Sequence, residues 1–341
     1  MEWPCSAHAN VLLHRLAISE SRRQLPRRIL DDPLPLKYDM SRIPIWRLSA
    51  SVSEGSYRSK VLCNRQGRSV VVEVLIMYAA VGAVAGVLAG LLGIGGGLVI
   101  VPMLVYCFTR QGISYDLIMH LALGTSMASI MFTAVSSFYS HHKRGAVQWI
   151  IVRRIVLGIF AGTFLGSCFA SNMSTNFLKV FFVIFLYYVA AQMLIDRKPV
   201  PSRQLPGSVG MFGVGNLIGA VSSLVGIGGG TLSVPFMMWC NVSVHQAIGT
   251  SAAIGFPIAI AGTAGYIWNG LHAQNLPIHS LGYVYLPALV GIVCASVLTA
   301  PLGVRLAHRL PVPKLKRVFA VLLLAVGTRM LLGLVQSLHA I

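Results

Sequence analysis

From about residue 71 onward the chain is a succession of apolar runs, at 71–108, 115–140, 148–170, 176–195, 207–240, 245–269, 281–305 and 314–337. Runs of about 20 apolar residues are what the ~30 Å hydrocarbon core of a bilayer demands. An α-helix satisfies its own backbone hydrogen bonds there without help. Composition agrees: 55% of residues are hydrophobic and 11% charged, against roughly 25% charged in a soluble domain. The expected fold is an all-α polytopic membrane protein, with the lipid bilayer as its principal partner.

Two of these runs are interrupted in the same way. "LLGIGGGLVIVP" starts at Leu91 and "LVGIGGGTLSVP" at Leu224, and residues 90–103 and 223–236 share eight identities in fourteen positions. Gly82 and Gly86 match Gly215 and Gly219, "HLALGTS" from His120 matches "HQAIGTS" from His245, and "LKVFFV" from Leu178 resembles "LKRVFAV" from Leu315. A long-period similarity of this kind marks a duplication. The repeats span 71–198 and 207–338, joined by a cytoplasmic linker at 199–206.

Short basic loops mark the cytoplasmic side of a membrane protein. Lys143, Arg144, Arg153 and Arg154 form one, Arg197, Lys198 and Arg203 a second, and Arg305, Arg309, Lys314, Lys316 and Arg317 a third. Three apolar segments separate the second loop from the third, and an odd number of straight crossings cannot return to the same side. Segment 207–240 must therefore turn back on itself. Straight, its 34 residues would run about 51 Å. The same break in the first repeat gives each repeat one glycine-broken helix plus three transmembrane helices. The repeats are then inverted in the membrane, as in many secondary transporters.

Irregular backbone inside a bilayer is tolerated only where protein buries it or it lines a watery cavity. Free N–H groups at the start of a half-helix form an anion site. Candidate substrate-binding residues are therefore Gly93, Gly95, Gly96 and Gly97, with Gly226, Gly228, Gly229 and Gly230. Pro102 and Pro235 cannot donate a hydrogen bond and mark the broken region. The glycines at i, i+4 spacing (Gly82, Gly86, Gly90 and Gly215, Gly219, followed by Ser223) read as close-packing seams.

Thr125, Ser126, Thr250 and Ser251 recur as hydroxyl pairs. They either bond back to the preceding turn or face an oxyanion, and spacing alone leaves both open. His120 and His245 also recur, and their titration range suits proton coupling. His141, His142, His272, His279 and His308 read as loop residues.

Charge and inventory exclude several classes. Net charge is +18, but the basic residues sit in short loops between apolar runs, which argues against nucleic acid. Of the nine acidic residues, only Asp116 and Asp196 lie beyond residue 73. Cation pumps and proton relays keep intramembrane carboxylates, so an anionic or neutral cargo is expected. Cys5, Cys63, Cys107, Cys168, Cys240 and Cys294 show no metal-ligand spacing. No P-loop, HExxH or catalytic triad pattern stands out, so no metal, cofactor or catalytic residue is expected.

Residues 1–70 hold 12 Lys and Arg and no apolar run of signal-peptide length. They read as a disordered basic tail, as a segment touching anionic headgroups, or as sequence upstream of a true start at Met77.

The doubled motif, Gly86 to Pro102 with Gly124-Thr125-Ser126 and Gly219 to Pro235 with Gly249-Thr250-Ser251, resembles the TauE/SafE (sulfite exporter-like, DUF81) family of permeases. The resemblance covers about residues 74–338. It implies anion transport across the bacterial inner membrane, with sulfite, sulfonates such as sulfoacetate, or related organosulfur compounds as cargo. A passive anion channel and a membrane scaffold are the competing readings. The oligomeric state is left open.

Overall fold

Val74–Leu91 forms the first helix, α1, of the computed structural model, which describes residues 74–91, 96–195, 204–307 and 312–339. The expectations for residues 1–70, Gly93 and Gly95 lie outside these. In chain order there follow α2 (Gly97–Arg110), α3 (Tyr115–His142), α4 (Trp149–Ser171), α5 (Thr175–Ile195), α6 (Ser208–Val225), α7 (Gly230–Trp239), α8 (Val244–Gly270), α9 (Leu286–Ala307) and α10 (Val312–His339). A small antiparallel hairpin of β1 (Ser280–Leu281) and β2 (Val284–Tyr285) precedes α9. Among the described residues eight helices are long and apolar enough to cross a membrane. The exceptions, α2 and α7, have 14 and 10 residues and would reach only about 21 and 15 Å.

The glycine seams do pack, and they pack across repeats. A Cβ on Gly82 would lie 2.8 Å from Cα of Ile292, and one on Gly86 2.7 Å from Cα of Ser296, while Gly90 sits against Ala300 and Val304. α1 therefore lies along α9 in the same direction. In the equivalent place α4 lies parallel to α6, with Gly158, Gly162 and Gly166 against Phe212, Asn216 and Ala220. Backbone meets backbone at each step, an approach that only a missing side chain allows.

The remaining contacts set the other directions. Thr133 bonds Ser296 and Arg144 bonds the Val304 carbonyl, so α3 runs parallel to α9. Thr163 and Ser167 meet Gly262 and Gly265, so α4 runs parallel to α8. The equivalent helices α3 and α8 pack antiparallel, Met127 on Gly262 and Ala134 on Gly255.

These directions decide what the break does. α1 and α3 both run parallel to α9, so α2 between them doubles back; the same holds for α7 between α6 and α8. Local geometry agrees. Gly96 lies against Ala85 and Gly229 against Ile218, positions a continuing helix would place about 16 Å apart. The turn-back required by the basic loops is thus present in both repeats. Arg144 reaching Val304 also puts the first and third basic loops at one end.

Candidate functional site

Three backbone positions make the turns. Gly226 ends α6 with φ 70°, Gly229 precedes α7 with φ 74°, and Gly96 precedes α2 with φ 76°. This left-handed region costs a residue with a Cβ about 1–2 kcal/mol, so glycine is dictated at each. The Ile227 N–H donates to the Ser222 carbonyl at 3.1 Å and closes α6. Beyond the turn, Leu232 and Ser233 donate to Gly229 at 3.1 and 2.9 Å, and Val99 and Ile100 both donate to Gly96 at 3.1 Å. The first N–H groups of each short helix are left unspent by the helix itself.

The two breaks abut. A Cβ on Gly97 would lie 2.9 Å from Cα of Ile227, and Gly226 is flanked by Val101 and Leu123. The Gly228 carbonyl faces α8, 3.2 Å from where a Cβ on Gly255 would sit. The structure thus brings Gly97 against Gly226 and Ile227, while Gly96 packs on α1, Gly228 on α8, and Gly229 on α6 and α8. Pro102 and Pro235 sit inside α2 and α7, each five residues beyond its last motif glycine.

The Gly-Thr-Ser motifs hold this arrangement in place. The Thr125 hydroxyl accepts the Tyr285 N–H, and the Thr250 hydroxyl accepts the Gln148 N–H, each at 2.9 Å. Tyr285 and Gln148 immediately precede α9 and α4, so each threonine satisfies a donor where the other repeat's fourth helix begins. Gly124 and Gly249 permit the approach, since Cβ atoms there would collide with Tyr283 and Ala146. Ser126 donates to the Gly226 carbonyl at 2.8 Å, tying α3 to the opposite break. All four hydroxyl residues, Ser251 included, are fully buried.

The two recurring histidines occupy unlike surroundings. His120 is 6% exposed, with Nδ1 3.1 Å from the Asp116 carbonyl, its ring against Tyr283, and Nε2 without a hydrogen-bond partner. His245 is exposed. Burial pushes the Tyr283 and Tyr285 phenols above their ordinary range.

His141 corrects the loop reading. It is buried within α3, 2% exposed, with Nε2 3.3 Å from the Gly90 carbonyl. In the second repeat Tyr266 takes the equivalent place and donates to the Ser223 carbonyl at 2.9 Å. Each secures the last turn of a broken helix, whose carbonyls have no helical partner. A helix running two residues past its apolar stretch hid this from sequence reading.

Sequence reasoning also passed over several hydroxyls. Ser222, Thr231 and Ser233 are 0, 5 and 0% exposed, and their hydroxyls have no hydrogen-bond partner. Ser222 Oγ lies 3.2 Å from where a Cβ on Gly229 would sit. The aligned residues of the first repeat are Ala89, Leu98 and Ile100, and that contrast was the available signal.

Among the described residues, eight helices long and apolar enough to cross a membrane, two turned-back short helices and a junction of glycine breaks define a multi-pass membrane protein. The family described as sulfite exporter TauE/SafE matches residues 78–330, and the chain belongs to this family of membrane transporters. It is 39% identical over 260 residues, 76% of this chain and 98% of the other, to a probable membrane transporter protein of Haemophilus influenzae. Identity is 27% over 257 residues, 74% of this chain and 93% of the other, to probable membrane transporter protein MJ0441 of Methanocaldococcus jannaschii. No solved structure matches the chain.

Proposed function

We propose that this protein is a secondary transporter of the bacterial inner membrane that carries a small oxyanion, with sulfite, a sulfonate or a related organosulfur compound as cargo, and that it is not an enzyme. The observation that carries this reading is the meeting of the two breaks at Gly97 and Ile227. There the start of α2, with its unspent N–H groups and the positive end of its dipole, meets the turn that leads three residues further on into the start of α7. Gly96, Gly97, Gly229 and Gly230 supply those groups. Thr125, Ser126 and Thr250 have protein partners, so they shape the site and leave the anion to the backbone. His120, which is buried in the helix bundle where His245 is exposed, is the better placed of the two histidines to exchange a proton during transport.

The repeats are read as inverted, a reading supported by the antiparallel packing of α3 on α8. Helix packing alters the expected motion of one repeat against the other. α1 and α3 pack on α9, and α6 and α8 on α4. We take the bodies that rock to be these two cross-repeat bundles, which meet at the α3–α8 contact through Met127, Ala134, Gly255 and Gly262.

The test is uptake of radiolabelled sulfite and of a sulfonate into proteoliposomes, with and without an imposed pH gradient. Saturable, gradient-sensitive uptake supports a coupled carrier. Flux that never saturates replaces the carrier with a channel, and no flux of any anion from folded protein favours a scaffold.

A further inference from the structure

The two breaks are not chemically equal, and one difference lies in side chains at the end of α6 and the start of α7. Ser222, Thr231 and Ser233 are buried with their hydroxyls unpartnered, whereas Ala89, Leu98 and Ile100 fill the aligned places with hydrocarbon. An unpaired buried hydroxyl costs about 1–3 kcal/mol. A membrane helix can usually settle one cheaply by bonding back to the preceding turn. Ser129, Thr133, Ser140, Thr299 and Thr328 all do so. Ser222 does not, and its Oγ lies beside Gly229 at the head of α7. Thr231 and Ser233 stand on the first turn of that helix.

We infer that Ser222, with Thr231 on the first turn of α7 and the N–H groups that open that helix, supplies the side-chain donors of the oxyanion site from the second break alone, and that this site takes a singly charged oxyanion. The inference rests on the reading of the protein as an anion carrier and adds to it which repeat binds and what charge it accepts. The hydroxyls donate to the anion and so acquire the partners they lack. The charge preference follows from the surroundings. α6, α7 and α8 contain no Lys, Arg, Asp or Glu; their one histidine, His245, is exposed in the first turn of α8, so the donors beside Gly229 are neutral dipoles. Born desolvation rises with the square of the charge. A dianion therefore costs about four times as much to bury as a monoanion of equal size, with no formal charge from these helices to repay it. Sulfonates and hydrogen sulfite are monoanions of the right shape; sulfate is a dianion.

The probes are radiolabelled methanesulfonate, with unlabelled sulfate as competitor, measured by equilibrium dialysis against the purified full-length protein. Saturable methanesulfonate binding is expected, with sulfate failing to compete at equal concentration. The S222A/T231V double variant is expected to lose at least about a hundredfold in affinity, since each of the two hydrogen bonds to a charged group is worth about 1.5–3 kcal/mol. Its melting temperature should not fall, because both changes remove orphaned polar atoms. Thr231→Ser, which keeps the hydroxyl, should bind within a few-fold of the wild type, and Ile100→Val in the first repeat should leave binding unchanged.

Wild-type affinity in the double variant overturns the assignment of the hydroxyls while leaving the carrier reading intact. Equal competition by sulfate overturns the charge preference. A double variant that both melts lower and is not rescued by Thr231→Ser reassigns the hydroxyls to structure. A wild-type protein that neither binds nor moves methanesulfonate or sulfite removes the carrier reading for this class, and this site with it.

Discussion

Replacing Gly162 by alanine tests the cross-repeat seam most directly. A Cβ there would lie 2.6 Å from both the Cα and the carbonyl carbon of Asn216, which is 0.8 Å inside the 3.4 Å at which ordinary contact begins. The obstacle is backbone, so no side chain can swing aside, and α4 and α6 must part by most of that distance. Gly158 and Gly166 ride on the same helix against Phe212 and Ala220, and separation at the middle lifts all three contacts. A gap of about 0.5–1 Å forfeits a quarter to a half of the dispersion energy across a packed surface. With the usual cost of overpacking, about 1–3 kcal/mol, a total near 3 kcal/mol is reasonable for the packing loss. Alanine returns up to about 1 kcal/mol through helix propensity. Gly213 isolates that gain, because a Cβ there meets nothing within 4 Å. G162A should therefore end about 2 kcal/mol below the wild type and G213A slightly above it. The difference of about 3 kcal/mol is some two orders of magnitude in the unfolding equilibrium. Reversible unfolding in detergent, followed for both variants side by side, measures it. Equal stability of the two would refute the packing argument.

Other expectations follow from the same contacts. In a background without the native cysteines, A134C/G255C should crosslink readily, since the two Cβ positions lie 3.8 Å apart, the usual spacing in a disulfide. That bond fastens α3 to α8 and should stop transport reversibly; undiminished uptake when oxidised would place the motion elsewhere. Ser126→Ala removes the donor to the Gly226 carbonyl and should cost about 1–2 kcal/mol of stability, with a larger proportional loss of uptake, since the break it steadies belongs to the proposed site. Thr125→Val and Thr250→Val each strip an acceptor from an N–H preceding α9 or α4, and each should cost about 1 kcal/mol in thermal unfolding. Gly96→Val and Gly229→Val force a β-branched residue into left-handed backbone and should abolish uptake; unaltered uptake would remove the breaks from the mechanism.

Much of this fold was legible because hydrophobic length and charge placement are one-dimensional signals. The duplication, the broken segments and the need for 207–240 to turn back follow from motif spacing and loop charge, and Gly96, Gly226 and Gly229 occupy the turns. Neighbour relations were not legible. An apolar helix face looks the same whether it meets lipid or protein, so nothing in the order of segments says that α1 belongs beside α9. The hydroxyls show the same limit. A Gly-Thr-Ser triplet offers donors and acceptors without saying to whom. Only the close approach of Ala146 and Tyr283 reveals that Thr250 and Thr125 serve the starts of α4 and α9. His141 was misjudged because α3 runs past its apolar stretch to His142.

The pairing of α1 with α9 also bears on how the chain is made. The Thr299 hydroxyl bonds the Ala83 carbonyl across 216 residues, and Gly82, Gly86 and Gly90 have their partners on the same late helix. A ribosome adding about 5–20 residues per second delivers α9 some ten seconds or more after α1. For that interval the first helix has an open glycine groove and nothing of its own chain to fill it. It must be held by lipid, by the insertion machinery, or by another chain until its partner emerges. The second repeat never waits in this way, because α4 is already in place when α6 is synthesised. Assembly is thus ordered from the second seam to the first, although the two seams look alike once the protein is complete.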